Sequence, residues 1–191
     1  MSKFIPIVAL IGAGHLGSRH LQGLAKIKQD IKIEVVDPNP DALGIAKKLF
    51  AEMPLNACVR SINYNVSQDN FVNDIHLAII STNADIRLKV IEELVARVHI
   101  KYMILEKVVF QSITDFEEAI LLLENKNISA WVNCPRRIFP FFKEIKKETE
   151  ISDKVSIKVQ GSNWGMACNS IHMIDLLSFL TGETNFTLDR K

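Results

Sequence analysis

Short apolar runs alternate with longer segments of helical periodicity along most of the chain. The run 6–12 is continuously apolar, as expected for a strand buried on both faces, and apolar residues recur at helical spacing over 15–28. A second strand over 31–37 is followed by a helix over 39–50, which opens with Asn39 as an N-cap and a proline at its first position. This alternation is typical of a parallel sheet with helices on both faces.

The same alternation continues through the middle of the chain. Further strands are predicted over 57–61, 75–80, 102–106 and 128–133, and further helices over about 85–97 and 115–124. Thr114 and Glu117 have the spacing of a capping box at the start of the second of these helices. We therefore expect an α/β protein with a doubly wound parallel sheet in residues 1–125. A second domain in residues 126–191 should hold two helices and an alternating strand over 153–161.

Composition and charge narrow the kinds of partner. The chain has 191 residues, is 48% hydrophobic and carries a formal charge of +1, with no basic block interleaved with aromatics, so we expect no nucleic-acid partner. The apolar N-terminal run is interrupted by Pro6 and by glycines and is too short to span a bilayer, so we expect a cytoplasmic protein without a membrane partner. Cys58, Cys134 and Cys168 have no C-x-x-C spacing, so neither a disulfide framework nor a metal site is predicted.

The strongest local motif lies at the first strand-to-helix turn, where Gly12, Gly14 and Gly17 form G-x-G-x-x-G in "GAGHLG". The motif leaves an apolar strand, opens a helix, and is followed by Asp37 at the end of the second strand, which is the arrangement of a dinucleotide-binding Rossmann domain. The glycines would admit a pyrophosphate beside helix N–H groups. Asp37 would accept hydrogen bonds from the ribose and repel a 2′-phosphate, which favours NAD over NADP. The alternative is a glycine-rich turn that binds nothing.

A charged pair, Glu106 and Lys107, stands at the end of the apolar run "YMILE". In a doubly wound sheet, ligands bind at the carboxyl ends of the strands, so we expect this pair to lie beside the nicotinamide half of a dinucleotide. A lysine ammonium there would polarise a hydroxyl or carbonyl oxygen of a substrate. A solvated lysine at a strand end fits the spacing equally well.

Six segments occur in the order and spacing typical of one enzyme family. They are "GAGHLG", "VVDPNP", "STNADIR", "LEKVV", "VNCPRRIFP" and "GMACNSIHMIDLLSFLTG". On these segments the chain resembles the Gfo/Idh/MocA oxidoreductases, related to glucose-fructose oxidoreductase and inositol dehydrogenase, over essentially its whole length. The resemblance implies NAD(P)-dependent oxidation or reduction of a sugar, sugar nucleotide or inositol, with a role in sugar metabolism or polysaccharide biosynthesis. It also implies a Rossmann domain followed by an α/β domain with a large open sheet.

The resemblance further implies that Lys107 is the active-site lysine and that His172 is the catalytic histidine. From the residues alone, Asn169 is expected to cap the last helix, which ends near Gly182. That cap would place His172 in the first turn. Asp175 would follow one turn later, where it either orients the imidazole or faces solvent.

The predicted site extends to both the cofactor and the substrate. For the cofactor we expect contributions from Gly12, Gly14, His15, Leu16, Gly17, Asp37, Ser81, Thr82, Asn83, Glu106 and Lys107. The side chain of His15 is expected to face solvent. Arg87, Arg136 and Asn169 are expected to contact substrate. For the pair Arg136 and Arg137, binding of surface carbonyl groups is an equally good interpretation.

The chain departs from the family pattern in ways that leave a second class of function open. Val108 follows the Glu-Lys pair where the family has proline, and Cys168 stands where the family has an acidic residue. Residues 126–191 are too few for the family's large open sheet, so we expect a truncated C-terminal domain. A homo-oligomer is expected if that sheet is completed. The alternative to an enzyme is a non-catalytic dinucleotide-binding module.

Overall fold

A computed structural model of the chain describes residues 4–71, 74–151, 154–187 and 189. The chain divides into two compact units, Met1–Val132 and Asn133–Lys191. None of the described helices is long and apolar enough to cross a lipid bilayer.

The first unit is built on a six-stranded sheet. Its strands are β1 (Ile7–Ile11), β2 (Ile31–Val36), β3 (Val59–Asn65), β4 (Ile75–Ile80), β5 (Ile100–Leu105) and β6 (Ser129–Val132). All neighbours pair in parallel, in the order β3-β2-β1-β4-β5-β6. The order reverses between β1 and β4, and a crevice forms at the carboxyl ends of the strands where such a reversal occurs. The predicted doubly wound parallel sheet is therefore confirmed.

Four helices connect these strands. They are α1 (His15–Leu24), α2 (Pro40–Ala51), α3 (Arg87–Arg97) and α4 (Ile113–Asn125), with a short 3-10 helix at Gln68–Asn70. The predicted cap of α2 is confirmed, since the Asn39 side chain accepts a hydrogen bond from the Asp41 N–H. The predicted start of α4 is wrong: Ser112 is the cap and accepts from the Asp115 N–H, so Thr114 lies inside the first turn. Ser-x-x-Asp competes with Thr-x-x-Glu here, and the earlier pair forms the cap.

Apolar residues cover both faces of the sheet. One core contains Ala78, Ile80 and Met103 of the strands, packed with Ile91 and Leu94 of α3, and all five are fully buried. The other core lies on the opposite face and contains Leu10, Ile33 and Val35 with residues of α1 and α2. Two closed cores hold the strands in place, so the loops at their carboxyl ends start from a rigid edge.

The first unit extends past residue 125 and includes the strand predicted over 128–133. β6 pairs with β5 from Tyr102↔Ser129 to Leu105↔Val132. The boundary therefore falls after Val132 and not after Asn125, because the backbone of the last strand is hydrogen-bonded into the sheet.

The second unit is helical in its described part. It holds a short 3-10 helix at Pro135–Ile138, α5 (Pro140–Thr149) and α6 (Met166–Thr181). Lys146 of α5 donates to the carbonyl of Phe179, and the Thr149 hydroxyl donates to the carbonyl of Leu180, so two side chains of α5 bind the last turns of α6.

The strand predicted over 153–161 is not found over 154–161, and Asp153 lies outside the described residues. Alternation of apolar and polar residues forms a strand only beside a partner strand. No strand pairs with this segment among the described residues of the second unit.

Asn169 does not cap α6 as predicted. Gly165, in the left-handed conformation with φ 62°, precedes the first helical residue, and the Asn169 amide lies inside the helix and donates to the carbonyl of Trp164 at 2.5 Å. His172 consequently lies in the second turn and not in the first, as the predicted cap would have placed it. The predicted end of the helix is confirmed, with Gly182 as C-cap at φ 74°.

Candidate functional site

The glycine loop between β1 and α1 shows why two of its glycines are needed. Gly12 adopts φ 95°, a conformation that side chains disfavour, and a Cβ on Gly17 would lie 1.9 Å from the Gly12 carbonyl oxygen. A Cβ on Gly14, in contrast, would meet no atom within 4 Å. Gly12 and Gly17 therefore shape the turn, while the space over Gly14 is open above the first N–H groups of α1, where an anion binds favourably.

The Asp37 side chain, which follows β2, is hydrogen-bonded to the glycine loop. Its Oδ2 accepts a hydrogen bond from the Ala13 N–H at 2.7 Å, and its Oδ1 accepts from the Asn39 N–H at 2.9 Å. A carboxylate oxygen accepts more than one hydrogen bond, so both oxygens keep acceptor capacity for a further donor. The carboxylate is thus held at a defined position beside the glycine loop.

A cleft of about 470 Å³ opens beside Asp37. Its lining brings together residues that the sequence predicted for the cofactor, namely Gly12, Gly14, Asp37, Ser81, Thr82 and Asn83. Arg97 also lines this cleft, and its guanidinium lies 2.6 Å from a carboxylate oxygen of Asp69. The one arginine of the cleft lining is therefore already paired with an acidic residue.

A second cleft, of about 670 Å³, lies past the loop that follows β4. Both clefts are lined by Ser81, Thr82 and Asn83, so the loop after β4 forms a wall of each. Leu16, Glu106 and Lys107 line the second cleft. His15 is exposed, as expected, and lines neither cleft, while Gly17 is buried beneath the loop.

Ser81 ties the loop after β4 to the glycine loop. Its hydroxyl donates to the carbonyl of Gly12 at 2.6 Å and lies 3.1 Å from the carbonyl oxygen of Ile11. A Cβ on Gly12 would approach the Ser81 carbonyl carbon to 3.0 Å. The two loops are therefore packed against each other at the wall that the clefts share.

Glu106 has a partner that the sequence did not indicate. Its side chain is buried, and Nε2 of His20 lies 2.6 Å from its Oε1. His20 lies on α1 one turn after Gly17, on the face that packs against the sheet. The position of His20 three residues after Gly17 was the feature of the sequence that could have indicated this contact.

Arg87, which we expected to contact substrate, lines the second cleft but is almost fully buried. Only 2% of its surface is exposed, and its guanidinium donates to the carbonyl oxygens of Glu106, Val108 and Val109 and to that of Thr82. The Lys107–Val108 peptide bond in this segment is cis. These bonds engage the guanidinium with backbone oxygens. Contact of Arg87 with substrate stays a prediction, since Arg87 also lines the second cleft.

The predicted residues of the second unit are engaged within that unit. The Asp175 carboxylate accepts from Arg137 at 2.7 Å, and this interaction raises the pKa of the Arg137 guanidinium. The second oxygen of Asp175 is buried without a hydrogen-bond partner. His172 is buried, and Arg136 is half-buried in the short 3-10 helix.

Metal binding receives no support from side-chain geometry. Among residues 4–71, 74–151, 154–187 and 189, no group of three or more His, Cys, Asp or Glu side chains is placed to hold a metal ion.

Comparison with solved structures supports the fold. Scyllo-inositol dehydrogenase from Lactobacillus casei, solved with NAD(H) and scyllo-inositol, matches with a TM-score of 0.67 and 20% identity over 94% of this chain and 57% of that chain. The WlbA (WbpB) dehydrogenase from Thermus thermophilus, solved with NAD and UDP-GlcNAcA, matches with a TM-score of 0.64 and 16% identity over 92% of this chain and 63% of that chain. A protein from Desulfitobacterium hafniense assigned as an NADPH-dependent oxidoreductase matches with a TM-score of 0.67 and 18% identity, over 95% and 56%.

The sequence matches no protein-family model and no curated protein. The chain spans a little more than half the length of the solved structures it matches. At identities of 16% to 20%, the likeness shows a shared fold and no more. The chain has the fold of the matching part of these solved structures.

Proposed function

We propose that this chain is part of an NAD(P)-dependent oxidoreductase that transfers a hydride between nicotinamide and a hydroxyl-bearing carbon of a sugar, sugar nucleotide or inositol. One observation carries the proposal: the cleft beside the glycine loop and Asp37 shares a wall, the loop after β4, with the cleft lined by Lys107. A dinucleotide needs a ribose acceptor, an anion site and room for a second nucleoside, and Asp37, the space over Gly14 and the second cleft offer these in turn.

The residues of the first cleft fit a dinucleotide. The open space over Gly14 suits a pyrophosphate at the N-terminus of α1, and the Asp37 carboxylate suits a ribose diol. The same carboxylate would repel a 2′-phosphate, and Arg97, the cation that lines this cleft, is paired with Asp69. These features support NAD as the cofactor ahead of NADP.

Lys107 is the residue to which we assign substrate activation in the first unit. Its ammonium, which lines the second cleft, would stabilise developing negative charge on the reacting oxygen. The bound nicotinamide supplies or accepts the hydride. In the second unit, His172 is the residue that we propose for the exchange of the hydroxyl proton, on the resemblance to the family alone.

The proposal is tested by substituting Lys107 and following nicotinamide absorbance with a panel of inositols and of UDP-, GDP- and CMP-sugars. We expect turnover with one of these classes, and a loss of about 10²-fold or more in kcat for Lys107→Ala. Cofactor affinity should stay within about threefold of the wild-type value, since the ammonium acts on the reacting oxygen. Lys101→Ala is the matched control, because Lys101 is exposed on the same strand, β5. Wild-type turnover by Lys107→Ala would contradict the assignment.

A second candidate is a non-catalytic dinucleotide-binding module. Two hydrogen bonds made by α6 residues favour this candidate. The Asp175 carboxylate accepts from Arg137, and the Asn169 amide donates to a backbone carbonyl. Both side chains were predicted to act on substrate or on His172. This candidate predicts unchanged cofactor binding without turnover of any member of the panel.

Three expectations stay predictions. They are a homo-oligomeric state, a cytoplasmic location and a role in polysaccharide biosynthesis.

A further inference from the structure

We propose that Arg87 and His20 are positioning residues that hold the Lys107 segment, residues 106–109, from two sides and so set the direction of the Lys107 side chain. The proposal rests on the proposed function for the role of Lys107. The holding of the segment itself is independent of that role.

Arg87 holds the backbone of the segment. Its Nη1 lies 2.5 to 2.7 Å from the carbonyl oxygens of Glu106, Val108 and Val109, which flank Lys107 on both sides. Its Nη2 donates to the carbonyl of Thr82, in the loop shared by the two clefts. A planar guanidinium carries donors on two separated nitrogens, so Arg87 reaches the Lys107 segment and Thr82 together, whereas a lysine has a single nitrogen at the end of its side chain.

The position of Arg87 is an unfavourable one for a cation. It is the first residue of α3, where the helix macrodipole disfavours positive charge, and the side chain is almost fully buried. Burial lowers the pKa of the guanidinium, and the negative charge of Glu106 opposes that lowering. A cation is kept in such a place when its bonds compensate for desolvation, and here those bonds go to the Lys107 segment and to Thr82.

His20 holds the segment from the side of α1. Its Nε2 lies 2.6 Å from Oε1 of Glu106, whose side chain is only 5% exposed. The backbone on both sides of Lys107 and the side chain preceding it are therefore tethered to two different helices, α3 and α1.

Packing in the core fixes the segment at its end, at Val109 and the adjacent Phe110, but not at Lys107 and Val108. Residues 106–110 contain no proline, and Val108 is half exposed. A shift of about 1 Å in a reacting group can lower a rate about 10²-fold, so the direction of Lys107 matters to the proposed reaction.

The test uses the full chain and two readouts that need neither cofactor nor substrate. Hydrogen exchange measures the mobility of residues 106–111, and acetylation followed by peptide mass spectrometry measures the reactivity of Lys107. Arg87→Met and His20→Ala are compared with Arg60→Met and His99→Ala, which alter exposed residues away from the clefts.

We expect Arg87→Met to raise exchange in residues 106–111 about tenfold and to change the acetylation rate of Lys107 severalfold. Exchange in the glycine loop and acetylation of Lys101 should stay at their wild-type values. Arg87→Lys should restore less than half of the exchange protection, because it keeps the charge but loses the planar fork. The two control variants should change neither readout.

Unchanged exchange and labelling of the Lys107 segment in a folded Arg87→Met protein would overturn the proposal. A uniform rise in exchange across the first unit would also overturn it, since Arg87 would then act on general stability. If Arg87→Met does not fold, the same two measurements are made on His20→Ala, which removes the contact with α1. Unchanged exchange and labelling in that variant would also overturn the proposal. Full activity of Lys107→Ala would contradict the proposed role of Lys107 in the reaction. It would not affect the exchange and acetylation measurements, which do not depend on that role.

Discussion

The two compact units differ in how completely they cover their apolar side chains. In the first unit, strand residues such as Leu10, Ala78 and Met103 have no exposed surface. In the described part of the second unit, the buried residues are Leu176, Leu180 and His172, and large apolar side chains such as Ile138, Phe141 and Ile151 stand exposed, at 67%, 68% and 88%.

The comparison shows where side-chain positions are determined by packing and where they are determined by a few local bonds. Around the glycine loop, a single added carbon would clash with the backbone, so the sheet and α1 determine the geometry. On α6, Asp175 is held chiefly by one exposed arginine. The glycine loop is therefore fixed by packing, whereas the position of Asp175 depends on one ion pair.

The largest expected effect is that of a methyl group at Gly17. We expect Gly17→Ala to lower the free energy of unfolding by about 3 kcal/mol and to weaken NADH binding at least tenfold, because its Cβ would lie 1.9 Å from the Gly12 carbonyl oxygen. The matched control is Gly23→Ala on the same helix, where a Cβ meets nothing within 4 Å. It should stabilise the protein by about 0.5 to 1 kcal/mol. Equal effects of the two variants in thermal unfolding would contradict the packing that we describe.

Hydrogen exchange measures the contrast between the units directly. Amides of β1 and β4, buried between two cores, should exchange only through global unfolding. Amides of α5 and α6 should exchange through local openings that are more favourable by several kcal/mol, since few of their side chains are buried. Similar protection in β1 and α6 would show that the units are equally stable and would remove the contrast.

A smaller effect is expected from the Arg137–Asp175 pair. Arg137→Ala should lower the free energy of unfolding by about 1 kcal/mol, because Asp175 is 16% exposed and its second oxygen already lacks a partner. The double variant Arg137→Ala with Asp175→Ala should recover most of that loss, because no unpaired carboxylate remains. The pair would be an ordinary surface contact if Arg137→Ala left denaturant unfolding unchanged.

The smallest effect is expected at Tyr64 on β3, whose hydroxyl is buried without a hydrogen-bond partner. Tyr64→Phe should leave stability at pH 7 unchanged or raise it by about 1 kcal/mol. Burial raises the pKa of Tyr64 to about 12 from its ordinary value of 10.0, so the folded state favours the protonated phenol. Wild-type stability should therefore fall relative to Tyr64→Phe as the pH rises from 10 to 12, and parallel pH profiles would contradict this.

Much of the first unit could be predicted because its signals are local. Continuous apolar runs indicated the buried parallel strands, and the glycine spacing indicated the turn whose close contacts the structure shows. The bond between Ala13 and Asp37 agrees with the predicted place of Asp37 at the end of the second strand.

What could not be predicted depends on contacts between distant parts of the chain. Glu106 meets His20 across 86 positions, and Arg87 meets Val109 across 22, so neither pairing leaves a periodic pattern in the sequence. Arg87 follows the end of a strand, which suggested a contact with substrate. Its burial depends on backbone carbonyl groups of residues 106–109, and the sequence does not indicate that they lie nearby. In α6 the cap was misassigned because Asn169 is a good capping residue by type, whereas the chain enters the helix through Gly165.

The central claim, that the first unit binds NAD through Gly14 and Asp37, is tested most directly by titrating the 191-residue chain with NADH and NADPH and following nicotinamide fluorescence. The account predicts that NADH binds at least about tenfold more tightly than NADPH. Asp37→Ala should weaken NADH binding about tenfold and narrow the difference, while Asp41→Ala, an exposed acidic residue in the first turn of α2, should change neither value. Absence of binding by both cofactors, or an unchanged preference in Asp37→Ala, would contradict it.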